Sequence, residues 1–369
     1  MRICHVLETS GGGSAQVVHE LVRYGLEQGD AVTVIYAPDR ADAGTIARLS
    51  ALPGVRMLAS PMQRKIGPRD VADGWKLYRL LKQNGPFDII HGHSSKAGAL
   101  TRVAGLFLPG KVIYTPHGFY SMMPGTPAYY GWIEWLLSWL GPAVVSVSLG
   151  EFRHSEQLGI ASRKLFLIPN GASPRFTATR EEARRKLGVD EETVLFGFIG
   201  RMEPQKNPMR AIDAFAQAAA DFPNARFVML GDGSLFDAAK AERDRLGMQT
   251  RIDLPGMRQA RDLIPGFDCL IGSSDFETLP ISFLECLHAG VPIVTTPIGG
   301  CEEAIIEGRT GFAARDFSTA ALATKIRHYL DANAAQRRLM ADAALQQSSL
   351  FTADIMAAKY RDLYRRLVI

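Results

Sequence analysis

No Asp-x-Asp pair occurs anywhere in the 369 residues. The usual carboxylate couple that holds a divalent metal across nucleotide phosphates is therefore missing, and no metal is expected. The four cysteines, Cys4, Cys269, Cys286 and Cys301, form no C-x-x-C pair. That scatter argues for buried free thiols in a reducing compartment. No apolar run reaches the ~20 residues a membrane-spanning helix needs. The opening MRICHVL is too short for the apolar stretch of a signal peptide, which predicts a cytoplasmic protein. Charge of one sign is also scarce. A net charge of +4 is too weak to argue for nucleic acid, although it suits anionic ligands or an anionic membrane surface. Internal repeats and low-complexity tracts are absent.

What is present is an ordinary globular composition, 47% hydrophobic and 22% charged, in a chain long enough for two domains. Short β-rich runs alternate with helical patterns, which means parallel sheets with helices on both faces. Arg2 to Leu7 reads as a buried strand. Gly11-Gly12-Gly13 follows, and Ser14 is placed to cap a helix with an apolar stripe of Val17, Val18, Leu21, Val22 and Leu26. Gly29 ends that helix, and Ala31 to Tyr36 is the next strand. Further strands are predicted at Ile89 to His91, Val112 to Thr115 and Val144 to Val147. A second series runs through Val194 to Ile199, Arg226 to Leu230, Ile252 to Leu254, Cys269 to Gly272 and Pro292 to Thr295. The polar stretch after Pro169 marks the boundary. The expected division is 1–170, 171–348, and a terminal amphipathic segment, 349–369, packing back on the first domain.

Pro127 to Pro142, PAYYGWIEWLLSWLGP, carries three tryptophans and two tyrosines at roughly helical spacing. Such rings suit the headgroup boundary of a membrane, but the segment has no lysine or arginine. The sequence favours a helix buried between sheet and lid, with membrane contact as the alternative.

Several motifs carry candidate chemistry. Glycines after a first strand let the backbone approach a phosphate at a helix N-terminus, though a mere tight turn is the competing reading. The dinucleotide fingerprint fails, because Gln16 stands where its third glycine belongs and Asp39 lies past the second strand. Gly105 to Lys111 has P-loop spacing, but Val112 replaces the serine or threonine and a strand follows. His91 and His93 could be metal ligands; with no third ligand in view, strand-end structure or ligand contact is the better reading. His117, in YTPHGF, follows a strand and is either a ligand contact or a hydrogen-bonded structural histidine. Arg201 stands at the end of the strand in FGFIGRMEPQKNP, with Lys206 five positions on. Two cations there suit a diphosphate, against the alternative of a solvated charged loop.

In SSDFETLPISFLECLHAG, Pro280 suits the first turn of a helix closing at Gly290. Amides around Thr278, Leu279 and Ile281 would point at a ligand. Glu277 is an odd choice at a helix N-terminus, which attracts anions, unless it binds hydroxyls. Glu285, two turns on, could accept vicinal hydroxyls of a ribose or hexose. A phosphate between two polyols would use this layout; an ordinary helix charge plus an unrelated exposed Glu is the alternative.

Taken together, these residues resemble the retaining glycosyltransferases of family 4. The resemblance covers nearly the whole chain. Its most specific part is the E-x7-E spacing from Glu277 to Glu285, and GGGSA, YTPHGF, IGRMEPQKNP, LGDGSL, AGVPIVTTPIGGCEE and EGRTGF fall in the family's order. HGHSSKAGALTRVAG is similar to a bacterial branch that builds exopolysaccharide, capsule and O-antigen.

The resemblance implies a GT-B fold, two Rossmann-like doubly wound domains facing a central cleft. It implies that Arg201 and Lys206 hold the nucleotide diphosphate, that Glu285 binds the donor ribose, and that Glu277 and His117 contact the transferred sugar. Gly12 and Gly13 would bring amides to the phosphate. Gly200, Leu279, Pro280 and Ile281 would line the donor site, with Met257 by the base. His93, Ser94 and Lys96 would face the acceptor. The implied substrates are a nucleotide diphosphate sugar, UDP-linked by preference, and a lipid-linked saccharide at the inner membrane face. No cofactor or metal is implied. One departure matters: Glu277-Thr278-Leu279-Pro280 replaces the E-G-F-G of many relatives, which loosens any transfer of donor identity. A nucleotide-sugar 2-epimerase and a non-catalytic sugar-nucleotide binder remain as alternatives.

Overall fold

The computed structural model describes residues 1–8, 12–63, 67–173 and 175–368. The chain forms two compact units, one of Met1–Gly171 with Ala353–Ile369 and one of Ala172–Thr352.

The first unit alternates strand and helix: β1 (Arg2–Leu7), α1 (Gly13–Glu27), β2 (Ala31–Tyr36), α2 (Ala43–Ser50), β3 (Arg56–Ala59), α3 (Arg69–Asn84), β4 (Ile89–His93), α4 (Ser95–Gly105), β5 (Lys111–Thr115), α5 (Tyr129–Ser138), β6 (Ala143–Ser146), α6 (Leu149–Gln157) and β7 (Leu165–Leu167). The strands form one seven-stranded sheet in the order β3-β2-β1-β4-β5-β6-β7, and its recorded pairings are parallel. Central strands such as β1 and β4 are buried along nearly their whole length, as both faces are covered by helices. The terminal residues Ala353–Val368 return to this unit as a long helix against α1. Arg361 of that helix pairs with Asp30 at 2.8 Å, and Asp30 also accepts from the N-terminal ammonium.

The second unit holds α7 (Arg180–Leu187), β8 (Val194–Ile199), α8 (Pro208–Ala218), β9 (Ala225–Leu230), α9 (Phe236–Arg245), β10 (Ile252–Gly256), β11 (Cys269–Gly272), α10 (Ile281–His288), β12 (Ile293–Thr295), α11 (Cys301–Ala304), β13 (Gly311–Ala313), α12 (Thr319–Asp331) and α13 (Ala334–Ser348); the returning terminal helix is α14. Its six-stranded sheet runs β10-β9-β8-β11-β12-β13. Phe196, Phe198, Phe215, Phe227 and Tyr329 share one core cluster, in which Phe196 meets Phe215 and Tyr329 edge-on and Phe215 meets Phe227 tilted. Both units are doubly wound α/β folds of the GT-B kind, as the sequence predicts.

Three strands escape the sequence reading: β3, β7 and β13. All lie on sheet edges, and they are only three or four residues long, so the continuous apolar run that marks a buried strand never develops. Ser14 does not cap α1. The N-cap is Gly12, at φ 80°, and Ser14 lies inside the helix. All four cysteines are free and buried.

Helix α5 corrects a second expectation. It is not buried: Trp132 is 71% exposed and Trp139 67%, with Leu136 and Tyr129 also outward. The reason is its one carboxylate. Glu134 points inward, where Arg102 Nη2 donates to it at 2.8 Å and Tyr114 Oη at 3.0 Å. A buried charge must be paired, so the pair fixes the rotation of the helix and turns the tryptophans out.

Candidate functional site

In the second unit the connections leave β8 toward β9 on one side, while β11 pairs β8 on the other. That reversal is where doubly wound sheets leave a crevice at the carboxyl ends of their strands. The loops that border it are Gly200–Asn207 and Ser273–Pro280. They are sewn together. Asp275 N–H donates to the Gln205 carbonyl at 2.8 Å, Gln205 Nε2 to the Phe276 carbonyl at 2.9 Å, and Ser273 Oγ to the Lys206 carbonyl at 2.8 Å. Arg210 adds a 2.6 Å ion pair to Asp275. The result is that Lys206 Nζ lies 2.8 Å from Glu277 Oε1, both half-buried. Arg201 is exposed at the end of β8 and makes no ion pair with a described residue. Gly200 sits between them in sequence. A methyl group at Gly231 would fall 1.9 Å from the Gly200 carbonyl oxygen, so only glycine at 231 lets the two strand ends touch.

Helix α10 starts directly after this loop, with Pro280 as N-cap. Leu279, Pro280 and Ile281 are buried. Gly300 backs them: a methyl group there would meet the Thr278 carbonyl at 1.6 Å. Every residue of α10 except Ser282 is buried, including Glu285 at 5% exposure. Burial raises its carboxyl above the usual range, and Arg261 opposes that, with Nε 3.0 Å from Oε1. Arg261 follows β10, as does Met257, which is 65% exposed. Sequence reasoning missed Arg261. Nothing marks it, because strand β11 and the start of α10 separate the two residues in sequence.

In the first unit the reversal falls between β1 and β4. Gly12 and Gly13 open α1 with no side-chain cap and no acidic residue in the first turn, which leaves the helix terminus suited to an anion. Gly11 lies outside the described residues. Ser94 follows β4 at φ 71°, and its Oγ donates to Glu8 at 3.1 Å. Glu8 in turn pairs with Arg40. Lys96 is buried, with Nζ 2.6 Å from both carboxylate oxygens of Asp70. His93 is 1% exposed, and its two ring nitrogens face His5 and His117 at 3.0 Å each.

His117 itself is half-buried at φ 55°. Its turn is held by Glu151, which accepts from Gly118 N–H at 2.5 Å and Val147 N–H at 2.7 Å. Burial pushes the Glu151 carboxyl up to about 7 against the pull of those two donors. Ser148-x-x-Glu151 has capping-box spacing, the one mark in the sequence that Glu151 is engaged. Ser94, His117 and Asn207 are the three described non-glycine residues at positive φ. All three lie in these strand-end loops, where backbone strain of about 1–3 kcal/mol per residue is characteristically held for function.

Two family models match the chain. One, "Glycosyltransferase Family 4", matches residues 11–176, and the other, "Glycosyl transferases group 1", matches residues 179–346. Among curated relatives, the chain is 28% identical over 256 residues to the UDP-Gal:alpha-D-GlcNAc-diphosphoundecaprenol alpha-1,3-galactosyltransferase of Escherichia coli. That match spans 63% of each protein, less than two thirds of the relative's length. It is 26% identical over 267 residues to the putative glycosyltransferase EpsD of Bacillus subtilis, covering 68% of this chain and 70% of that one. The crystal structure of Anabaena Alr3699/HepE in complex with UDP and glucose superposes with a TM-score of 0.85 over 99% of this chain and 100% of that one. The identity there is 18%, so the likeness concerns the fold.

Proposed function

Because the chain belongs to glycosyltransferase family 4, we propose that it is a metal-independent, retaining hexosyltransferase. It takes a sugar from a nucleotide diphosphate sugar, preferably a UDP-sugar, and passes it to a lipid-linked saccharide in bacterial cell-surface polysaccharide synthesis. The observation that carries this reading is the 2.8 Å approach of Lys206 to Glu277 beside exposed Arg201 at the second unit's strand reversal. Two cations and one carboxylate at that edge match a diphosphate joined to a sugar.

In this proposal Arg201 and Lys206 hold the diphosphate and stabilise charge as the bond between the anomeric carbon and the phosphate oxygen breaks. The bonding electrons leave with that oxygen. The acceptor hydroxyl attacks the same face of the oxocarbenium-like centre, and its proton passes to the leaving phosphate. No protein nucleophile takes part; positioning and charge stabilisation do the work. Gly200, Leu279, Pro280 and Ile281 line the diphosphate, Glu285 takes the ribose and Met257 covers the base. Glu277 and His117 contact the transferred sugar, and Gly12 and Gly13 offer amides to phosphate. Ser94 and Lys96, with His93 behind them, serve the acceptor side.

The outward tryptophans of α5 support docking on the cytoplasmic face of the inner membrane. Rings with an apolar body and a polar N–H favour the headgroup boundary. Among the described residues no helix is long and apolar enough to cross a bilayer. The printed name of the E. coli relative, with its UDP-linked donor and diphosphoundecaprenol acceptor, points the same way.

The test is product analysis with a panel of nucleotide sugars and a polyprenyl-diphosphate saccharide, with and without EDTA. Transfer with retained anomeric configuration and unchanged rate in EDTA is expected. An isomerised free nucleotide sugar would make the protein an epimerase, and donor binding without turnover would make it a binder.

A further inference from the structure

Four of the chain's eight histidines lie close together: His5 within β1, His91 within β4, His93 at the end of β4, and His117 just after β5. The nitrogens of His5, His91 and His93 lie within 4.8 Å of one another, a spacing that could hold a metal ion. Their hydrogen bonds say otherwise. His91 spends both nitrogens, on Tyr364 Oη at 2.6 Å and Thr115 Oγ1 at 2.8 Å. His93 spends both as well, Nε2 with His5 Nδ1 and Nδ1 with His117 Nε2, each at 3.0 Å. A metal would have to break these bonds.

Burial keeps the row uncharged, since it pushes His5 and His117 down to about 3 and His93 well below its ordinary value. A neutral imidazole has one N–H and one lone pair. His93 must therefore donate with one nitrogen and accept with the other, and only two arrangements of the row satisfy both bonds. In one, every Nδ1 carries the proton and His117 Nδ1 is an N–H donor. In the other, every Nε2 carries it and His117 Nδ1 is a bare acceptor. Among the described residues nothing bonds His5 Nε2. A buried lone pair left alone costs less than a buried N–H left alone, which selects the first arrangement.

We propose that His5 and His93 are positioning residues that fix the tautomer of His117, so that its Nδ1 presents an N–H to an oxygen of the bound sugar or phosphate. The inference rests on His117 serving the proposed transfer. His5 acts from inside the sheet, through His93, without touching the ligand. His93 is thereby withdrawn from direct acceptor contact, consistent with its burial and its two engaged nitrogens.

The test is a long-range proton–nitrogen-15 correlation spectrum of histidine-labelled full-length protein at neutral pH. Nδ1–H is expected on His5, His93 and His117. His5→Phe keeps the ring but removes the donor, so His117 should shift toward the Nε2–H form and kcat should fall roughly tenfold, about one hydrogen bond's worth. His5→Asn, whose amide nitrogen overlays Nδ1, should restore both. Nε2–H on His117 in the unsubstituted protein overturns the proposal even if His5→Phe fails to fold. So does an unshifted tautomer in His5→Phe, equal losses in both variants, or stoichiometric stabilisation by zinc with loss of the His5–His93 pairing. The spectrum does not depend on turnover: an absent relay with intact transfer refutes this inference alone, and a present relay without transfer refutes the proposed activity alone.

Discussion

Lys206 Nζ and Glu277 Oε1 stand 2.8 Å apart because two loops from adjacent strands are stitched together beneath them. The stitching uses main-chain groups, the Gln205 amide, the Ser273 hydroxyl and the Arg210–Asp275 pair, none of them from the Lys206 or Glu277 side chain, so either side chain can be changed without unpicking it. Lys206→Ala should lower turnover by roughly two to three orders of magnitude, the scale of losing one charge-stabilising group. The melting temperature should stay within a few degrees. Near-normal release of nucleoside diphosphate would remove Lys206 from the site. Glu277→Gln should depress turnover while leaving UDP affinity close to that of the unsubstituted protein.

Arg261 and Glu285 make a second pair, whose carboxylate is the more deeply buried of the two. Arg261→Ala leaves the Glu285 carboxyl, already raised by burial, without its cation. Stability should fall by about 1–3 kcal/mol, below the range for fully buried pairs because Arg261 is partly in water. Glu285→Gln removes the charge and should cost little stability but weaken UDP binding at least tenfold by calorimetry. A Glu285→Gln protein that binds UDP normally would take Glu285 out of the ribose site.

Trp132 and Trp139 project from α5 into solvent, so replacing both with serine should leave the melting temperature nearly unchanged. Partition onto vesicles containing anionic lipid should drop at least tenfold in sedimentation assays, since two interfacial rings are lost. Equal partition of both proteins would assign that face another role.

Acid should loosen the first unit through its histidines. His5, pushed down to about 3 by burial, binds its proton readily only when unfolded. Stability from its neutral state is present above pH 6.5 and is lost as pH falls toward 3. The slope is up to about 1.4 kcal/mol per pH unit for each such group. Denaturant titrations should show a shallower slope over that window in His5→Phe than in the unsubstituted protein; equal slopes would mean His5 titrates normally.

The alternation of strand and helix was legible because central parallel strands are buried on both faces and read as apolar runs. Edge strands β3, β7 and β13 were not, since they are three or four residues long and only partly buried, so no apolar run develops. Glu277, Glu285, Arg201 and Lys206 stood out through local spacing. Arg261, the partner of Glu285, did not, nor did Asp70, which holds Lys96; both act across folds of the chain that no spacing records, and Glu151 left only the capping-box spacing from Ser148. The direction of α5 was illegible for the same reason. Nothing in the sequence shows which way Glu134 points until Arg102 and Tyr114 are seen to hold it. His5 gave no signal, being one polar residue in a strand whose other inward positions are apolar.

Ala172 N–H donates to the Phe351 carbonyl at 2.9 Å, and Ala172 bridges Thr352, so the second unit begins and ends at one place. The polypeptide thus treats residues 172–352 as a self-closed insert, threaded into a host that is completed only when α14 is made. During synthesis this second unit, the proposed nucleotide-binding half, can finish folding while the host still lacks Tyr360 and Tyr364. Excised at that shared seam, the insert should fold by itself and remain a receptor for UDP.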